Sequence, residues 1–219
     1  MARNKYPEET VKLIIEESLK LFIEKGYENT SIQDIIHHLG GLSKGAIYHH
    51  FKSKEEIFEA VCQKIGDENI VYYDKMRDDP TKSGYEKLKN LIRSAYANPN
   101  NDAVLAMQDK IMSDPKFLMN QIHASYELVA PRYIEPIIRQ GIADGSIQTD
   151  YPKELAGVLI TLLNVWINPM IEKATTDEIR QKIAFFELLL KGIGIDVFDA
   201  EITEQYVNYC DRYNQMKQK

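Results

Sequence analysis

Residues 30 to 55, TSIQDIIHHLGGLSKGAIYHHFKSKE, decide how the amino-terminal part of this chain folds. Ser31 followed three residues later by Asp34 is a capping signal, and Ile32, Ile35, Ile36 and Leu39 recur at helical spacing. An amphipathic helix is therefore expected from Ser31 to Leu39. Gly40 and Gly41 stop it. Ser43 is placed to cap a second helix, in which Ile47 and Phe51, four residues apart, face inward while Lys44, Tyr48 and His49 point elsewhere. Two short helices joined by a glycine turn are a helix-turn-helix pattern, and its second helix is the one that enters a DNA groove.

Working outward, Val11, Ile14, Ile15, Leu19, Phe22 and Ile23 form an apolar stripe on a preceding helix, which Gly26 ends in the sequence Glu-Lys-Gly-Tyr. Between Ile35 and Lys54 there are three lysines (Lys44, Lys52, Lys54), no acids and four of the five histidines (His37, His38, His49, His50). That is a local basic footprint on a chain whose net charge is −6, and the acid load lies mostly beyond residue 66. A protein that coats nucleic acid indiscriminately is excluded by the overall balance, whereas a locally basic reading helix is compatible with it. The pattern LFIEKGYENTSIQDII followed by GLSKGAIYHHFKSKEEIF resembles the amino-terminal DNA-binding domain of the TetR family of transcriptional regulators. The resemblance is specific from Val11 to Val61 and architectural beyond. It departs from the family pattern at Leu39-Gly40-Gly41-Leu42-Ser43, which carries one extra residue in the turn.

With 219 residues and 44% hydrophobic content, the chain has material for one small and one medium core. The boundaries expected are 8–66 for the helix-turn-helix domain and 67–219 for a larger helical domain. Two cysteines, Cys62 and Cys210, are too few for a disulfide framework and suit a reducing cytoplasm. No leader pattern opens the sequence, and the longest uncharged run, Leu155 to Ile171, is 17 residues interrupted by Thr161, Asn164, Asn168 and Pro169. A buried helix is expected there rather than a membrane span.

The remainder reads as all-α. Lys54-Glu55-Glu56 opens a helix with Ile57, Phe58, Val61 and Ile65 on its inner face, linking the two domains. Further helices are expected from Tyr85 to Tyr96, from Asp102 to Ser113, and from Pro115 to Gly141 with a kink or break near Ala130, because Pro131 and Pro136 remove helical donors from the Glu127 and Arg132 carbonyls. Pro152 to Met170 follows, with Pro169 freeing the Val165 carbonyl beside Trp166. Ile179 to Leu190 comes next, and last Ile202 to Gln218, whose aromatic stripe packs on its own protomer or meets a partner.

Catalysis has no support: no nucleophile elbow, no cysteine in a basic setting, no phosphate cradle after a strand. No cofactor is implied. His37 and His38 are adjacent and diverge on a helix, as do His49 and His50, so no metal site is expected. For DNA, Ser43, Lys44 and Gly45 are the contacts expected at the amino-terminal end of the reading helix, where it meets base edges, Tyr48, His49 and Lys54 are assigned to phosphates, and Thr30 and Ser31 offer hydroxyl or backbone donors to a flanking phosphate. For Ser31 a pure capping role stays equally open. The family resemblance carries the same assignments where the motif matches, and it implies a homodimer on a double-stranded operator and a small-molecule pocket in the helical body. Met107, Phe117, His123, Tyr126 and Trp166 are the candidate lining of that pocket. The functional expectation is a cytoplasmic repressor released from a pseudo-palindromic operator by a small apolar or aromatic effector; the alternatives are a regulator controlled by a protein partner, or a helical carrier protein with a vestigial helix-turn-helix.

Overall fold

The computed structural model describes residues 7–40, 44–98, 100–172 and 174–216, and every regular element among them is helical. No helix among the described residues is long and apolar enough to cross a membrane. The chain divides into two compact units, the first taking the described residues up to Ile70 together with Asp102–Ser113, the second Val71–Asn101 and the rest from Asp114.

The first unit begins with α1, Pro7–Lys25. Pro7 starts it without forfeiting a needed donor, Glu8 and Glu9 face the positive helix end, and Gly26 at φ +80° turns the chain out. The buried face is Thr10, Ile14, Ser18, Leu21 and Phe22. This is rotated from the stripe that apolarity alone suggested: Ile23 is 44% exposed, while Val11 and Ile15 line a groove of about 540 Å³ with Pro7, Glu8, Lys12 and Lys64. Close helix packing selects small side chains as well as apolar ones, and Thr10 and Ser18 are both buried. Helix α2, Ile32–His38, packs on α1 through Ile35. Helix α3, Lys44–His50, buries Ile47, and α4, Lys54–Arg77, buries Ile57, Phe58, Val61 and Ile65. Helices α6, Asn101–Ala106, and α7, Gln108–Ser113, replace the single helix expected there, and bury Ala103, Leu105, Met107 and Ile111.

In the second unit α5, Gly84–Ala97, starts on a capping box between Ser83 and Glu86 and packs against α9, Glu135–Asp144, and α12, Ala200–Met216. The stretch from Pro115 does not break at Ala130. Helix α8, Pro115–Ala124, widens into a π-helical segment, Ser125–Ile134, and narrows again into α9. Pro131 lies inside the widened turn, where the ladder shifts to bonds such as Glu135 N–H to the Ala130 carbonyl. The Arg132 carbonyl, freed by Pro136, accepts from the Arg77 guanidinium at 3.4 Å. Likewise α10, Pro152–Thr161, passes into a π segment, Leu162–Trp166, and ends short of Pro169. Helix α11, Thr176–Gly192, lies against α12, whose Ile202, Tyr206, Tyr209 and Tyr213 are buried within this unit.

The tightest approach is between α5 and α9. A Cβ on Gly84 would stand 2.1 Å from the Gly141 nitrogen, and the Gly84 and Tyr85 N–H groups donate to Asp144 and Ser146 at 2.9 and 3.0 Å. Lys87, 3% exposed, donates to the Arg77 carbonyl and to Gln140 Oε1 at 2.6 and 2.7 Å, which compensates its burial. Gly84→Ala sets a methyl group against backbone that cannot rotate away, so urea denaturation is expected to show a loss at or above the ~1–3 kcal/mol typical of overpacking. Gly66→Ala, in open space within α4, is expected to gain about 0.5–1 kcal/mol from the helix preference of alanine over glycine.

Candidate nucleic-acid interface

Helix α3 has one side committed to the core and one to solvent. Ile47 is fully buried and Phe51, just past the helix, is 8% exposed. Lys44, Gly45, Tyr48 and His49 are all exposed, and their spacing of one, four and five residues puts them on a single face. Four of the eight residues read from sequence as DNA contacts thus share one surface. The Lys44 ammonium lies 5.7 Å from the Tyr48 ring centroid, a positive group over an aromatic face. The histidine rings of His49 and His50 meet edge to face at 5.1 Å. Ser43 lies outside the described residues, and with it the proposed cap of α3.

Ser31 and Thr30 separate. Ser31 is exposed, and its N–H donates to Asp34 Oδ2 at 2.8 Å while its hydroxyl oxygen accepts from the Asp34 N–H at 3.1 Å, completing a reciprocal capping box. Thr30 is a correction: at 1% exposure its hydroxyl donates inward to the Gly26 carbonyl at 2.8 Å, and its N–H donates to the Tyr27 carbonyl at 3.2 Å. Neither donor is presented to a phosphate, because the chain needs both to close the turn after α1.

Lys54, at the start of α4, is partly buried. Its ammonium donates to the Tyr27 carbonyl at 2.8 Å and stands 4.1 Å from the Tyr27 ring centroid. Two of its three protons remain for another acceptor. Tyr27 is the organising residue that sequence reading passed over. Its ring, 4% exposed, meets Phe22 at 5.3 Å and Phe58 at 5.1 Å, and its hydroxyl donates to Glu55 at 3.0 Å. Burial first, and then the Glu55 carboxylate, raise the phenol well above its ordinary value of 10.0. The only sequence signal was its place after the helix-ending Gly26. Ser53 caps α4, accepting from the Glu56 N–H at 3.2 Å.

The five residues read as an effector lining fall in both units. Met107, 1% exposed, belongs to the first unit's core, between α6 and α7, and the other four lie in the second unit. A cleft of about 300 Å³ there is lined by Trp166 with Glu172, Ala174, Glu178, Gln181, Lys182 and Phe185, and by none of the other four. Phe117 is half-buried. His123 pairs with Glu127 one turn on, at 3.7 Å with both side chains largely exposed. Tyr126, 45% exposed, donates to the Thr161 hydroxyl, which in turn donates to the Gly157 carbonyl.

Asp34 is held far below its ordinary 3.8 by the Ser31 hydroxyl, then the Ser31 N–H and Lys25. A depressed carboxylate contributes stability above its unfolded value and loses it as pH falls through that range. Ser31→Ala is expected to lower stability at pH 7 by about 1 kcal/mol, and to flatten the acid limb of the stability profile below the ordinary Asp value. An unaltered acid limb in denaturation between neutral pH and acid would remove Asp34 as its source.

Over residues 14–61 the chain matches the family model described as bacterial regulatory proteins, tetR family. The HTH-type transcriptional repressor KstR2 of Mycolicibacterium smegmatis is 31% identical over 140 residues, 62% of this chain and 66% of that protein, just under two thirds of its length. The HTH-type transcriptional repressor AcnR of Corynebacterium glutamicum is 23% identical over 179 residues, 80% of this chain and 88% of that one. Among solved structures, a TetR-family transcriptional regulator from Pectobacterium atrosepticum superposes with a TM-score of 0.64 at 22% identity, covering 87% of this chain and 97% of its own. A TetR/AcrR-family regulator from Thermobifida fusca gives 0.56 at 25%, covering 84% and 98%.

Proposed function

The chain belongs to the TetR family, a DNA-binding transcriptional regulator and not an enzyme, and from that premise we propose that it is a cytoplasmic repressor, released from a pseudo-palindromic operator by a small effector. The observation that carries the reading is the α3 face, where Lys44, Gly45, Tyr48 and His49 are exposed together while Ile47 anchors the helix. Gly45 admits close backbone approach, Lys44 donates to guanine or phosphate, and Tyr48 and His49 donate to phosphate oxygens. Lys54 offers its two remaining protons and its charge from the amino end of α4. The repressor sense follows KstR2 and AcnR, both repressors by name.

A two-fold operator needs a two-fold protein. Helix α11 exposes Leu188 and Leu189 at 65% and 44%, an apolar pair suited to a second copy. Release by an effector requires a coupling of only ~1–3 kcal/mol to alter occupancy five- to 150-fold.

A mobility shift with the DNA upstream of the protein's own gene tests the core of the reading; no retention on any fragment overturns it. Lys44→Ala is expected to cost ~1–3 kcal/mol on the best site and to relax base preference. A loss equal on specific and random DNA would place Lys44 on the backbone instead. Lys54→Ala should make the slope of log K against log salt shallower by about 0.9, one phosphate's worth. Light scattering should give twice 25.3 kDa for the native chain and the monomer for Leu188→Glu with its helicity intact; a native monomer at micromolar concentration sinks the dimer.

A further inference from the structure

The cleft beside the second π segment combines an aromatic wall with a charge that can be exchanged. Trp166 and Phe185 meet nearly edge to face, their centroids 5.9 Å apart, and Ala174 and Gln181 complete the lining. Lys182 reaches into it with its side chain only 17% exposed. The ammonium is 2.5 Å from the Glu172 carboxylate, 3.4 Å from the Trp166 carbonyl and 6.0 Å from the indole centroid. The carbonyl is available because the helix ends at Trp166, so its acceptor looks to a side chain.

The three charged groups are not equally fixed. Glu178 is committed: its carboxylate accepts from the Thr175 N–H at 2.7 Å and hydroxyl at 2.9 Å, forming the cap of α11. Lys182 is held by its packed stem on α11. Glu172 sits in the turn before that helix with its side chain 64% exposed, so it can swing into water at little cost. A largely buried ammonium needs an anion beside it, and here the anion in place is the removable partner. A cationic ligand meets the opposite situation, since Lys182 already occupies the position over the indole where a cation would stack.

We propose that this cleft binds a small apolar carboxylic acid, whose carboxylate takes the place of Glu172 on Lys182 and whose hydrocarbon part lies against Trp166 and Phe185. Glu172 is then a built-in competitor that keeps the lysine paired when no ligand is bound. The proposal names the chemistry of an effector for the regulator described above and rests on that reading only for its consequence on DNA.

Trp166 is the sole tryptophan, so its emission reports on the cleft of the full-length protein with no DNA present. Titration with octanoate, octanamide and octylammonium is expected to give a saturable change with octanoate and binding about tenfold weaker with octanamide, the worth of one charge-assisted contact. Lys182→Gln should abolish the preference for acid over amide, and Lys182→Arg should keep it if the glutamine variant fails to fold. Glu172→Gln should tighten octanoate by about threefold, as expected when a competing internal anion is removed. No saturable change, equal affinity for acid and amide, or a preference for octylammonium overturns the proposal. A mobility shift run with octanoate separates the two readings. Saturable fluorescence with unaltered DNA binding upholds the cleft and removes its effector role, whereas a protein that binds no DNA sinks the regulator reading alone.

Discussion

The turn after α1 is held by one carbonyl and one ring. The Tyr27 carbonyl accepts from Thr30 N–H and from the Lys54 ammonium, and the ring stands between Phe22 of α1 and Phe58 of α4. This ties the end of the first helix to the beginning of the fourth, and α2 and α3 are the chain between those two points. The exposed face of α3 is therefore positioned by contacts made within the first unit. Loss of the ring would unpack both neighbours at once, and loss of the ammonium would leave a partly buried carbonyl with a weaker set of donors.

The same logic explains which polar side chains of the first unit stay exposed. Buried donors must be paired, so Thr30 spends both of its donors on closing the turn and has none left to offer outward. Ser31, one residue on, is exposed, yet its cap is completed by Asp34. On α3 the inner face is filled by Ile47, and Lys44, Gly45, Tyr48 and His49 face water.

In the second unit, backbone irregularity and burial go together. Both π segments occur where a proline lies in the segment or shortly beyond it, and three carbonyls in or just after these segments accept from side chains: Arg132 from Arg77, Trp166 from Lys182, and Leu163 from the Tyr96 hydroxyl at 3.0 Å. Each of these charges or hydroxyls is drawn inward by an acceptor that a regular helix would have consumed.

The all-α class, the amino-terminal helix-turn-helix and the exposed set Lys44, Tyr48 and His49 were legible in the sequence, because capping pairs, glycine stops and i,i+4 spacing are local rules that neighbouring residues enforce. The inward face of α1 was legible only in part, since Ser18 and Thr10 are buried by close packing that no hydropathy pattern records. The pairing of Lys54 with Tyr27, 27 residues apart, and the return of Asp102–Ser113, with Met107, to the first unit's core were decided by tertiary structure alone. Each depends on which distant surface a side chain meets. Periodicity fixes a residue's direction from its own helix, and only packing fixes what stands there to receive it.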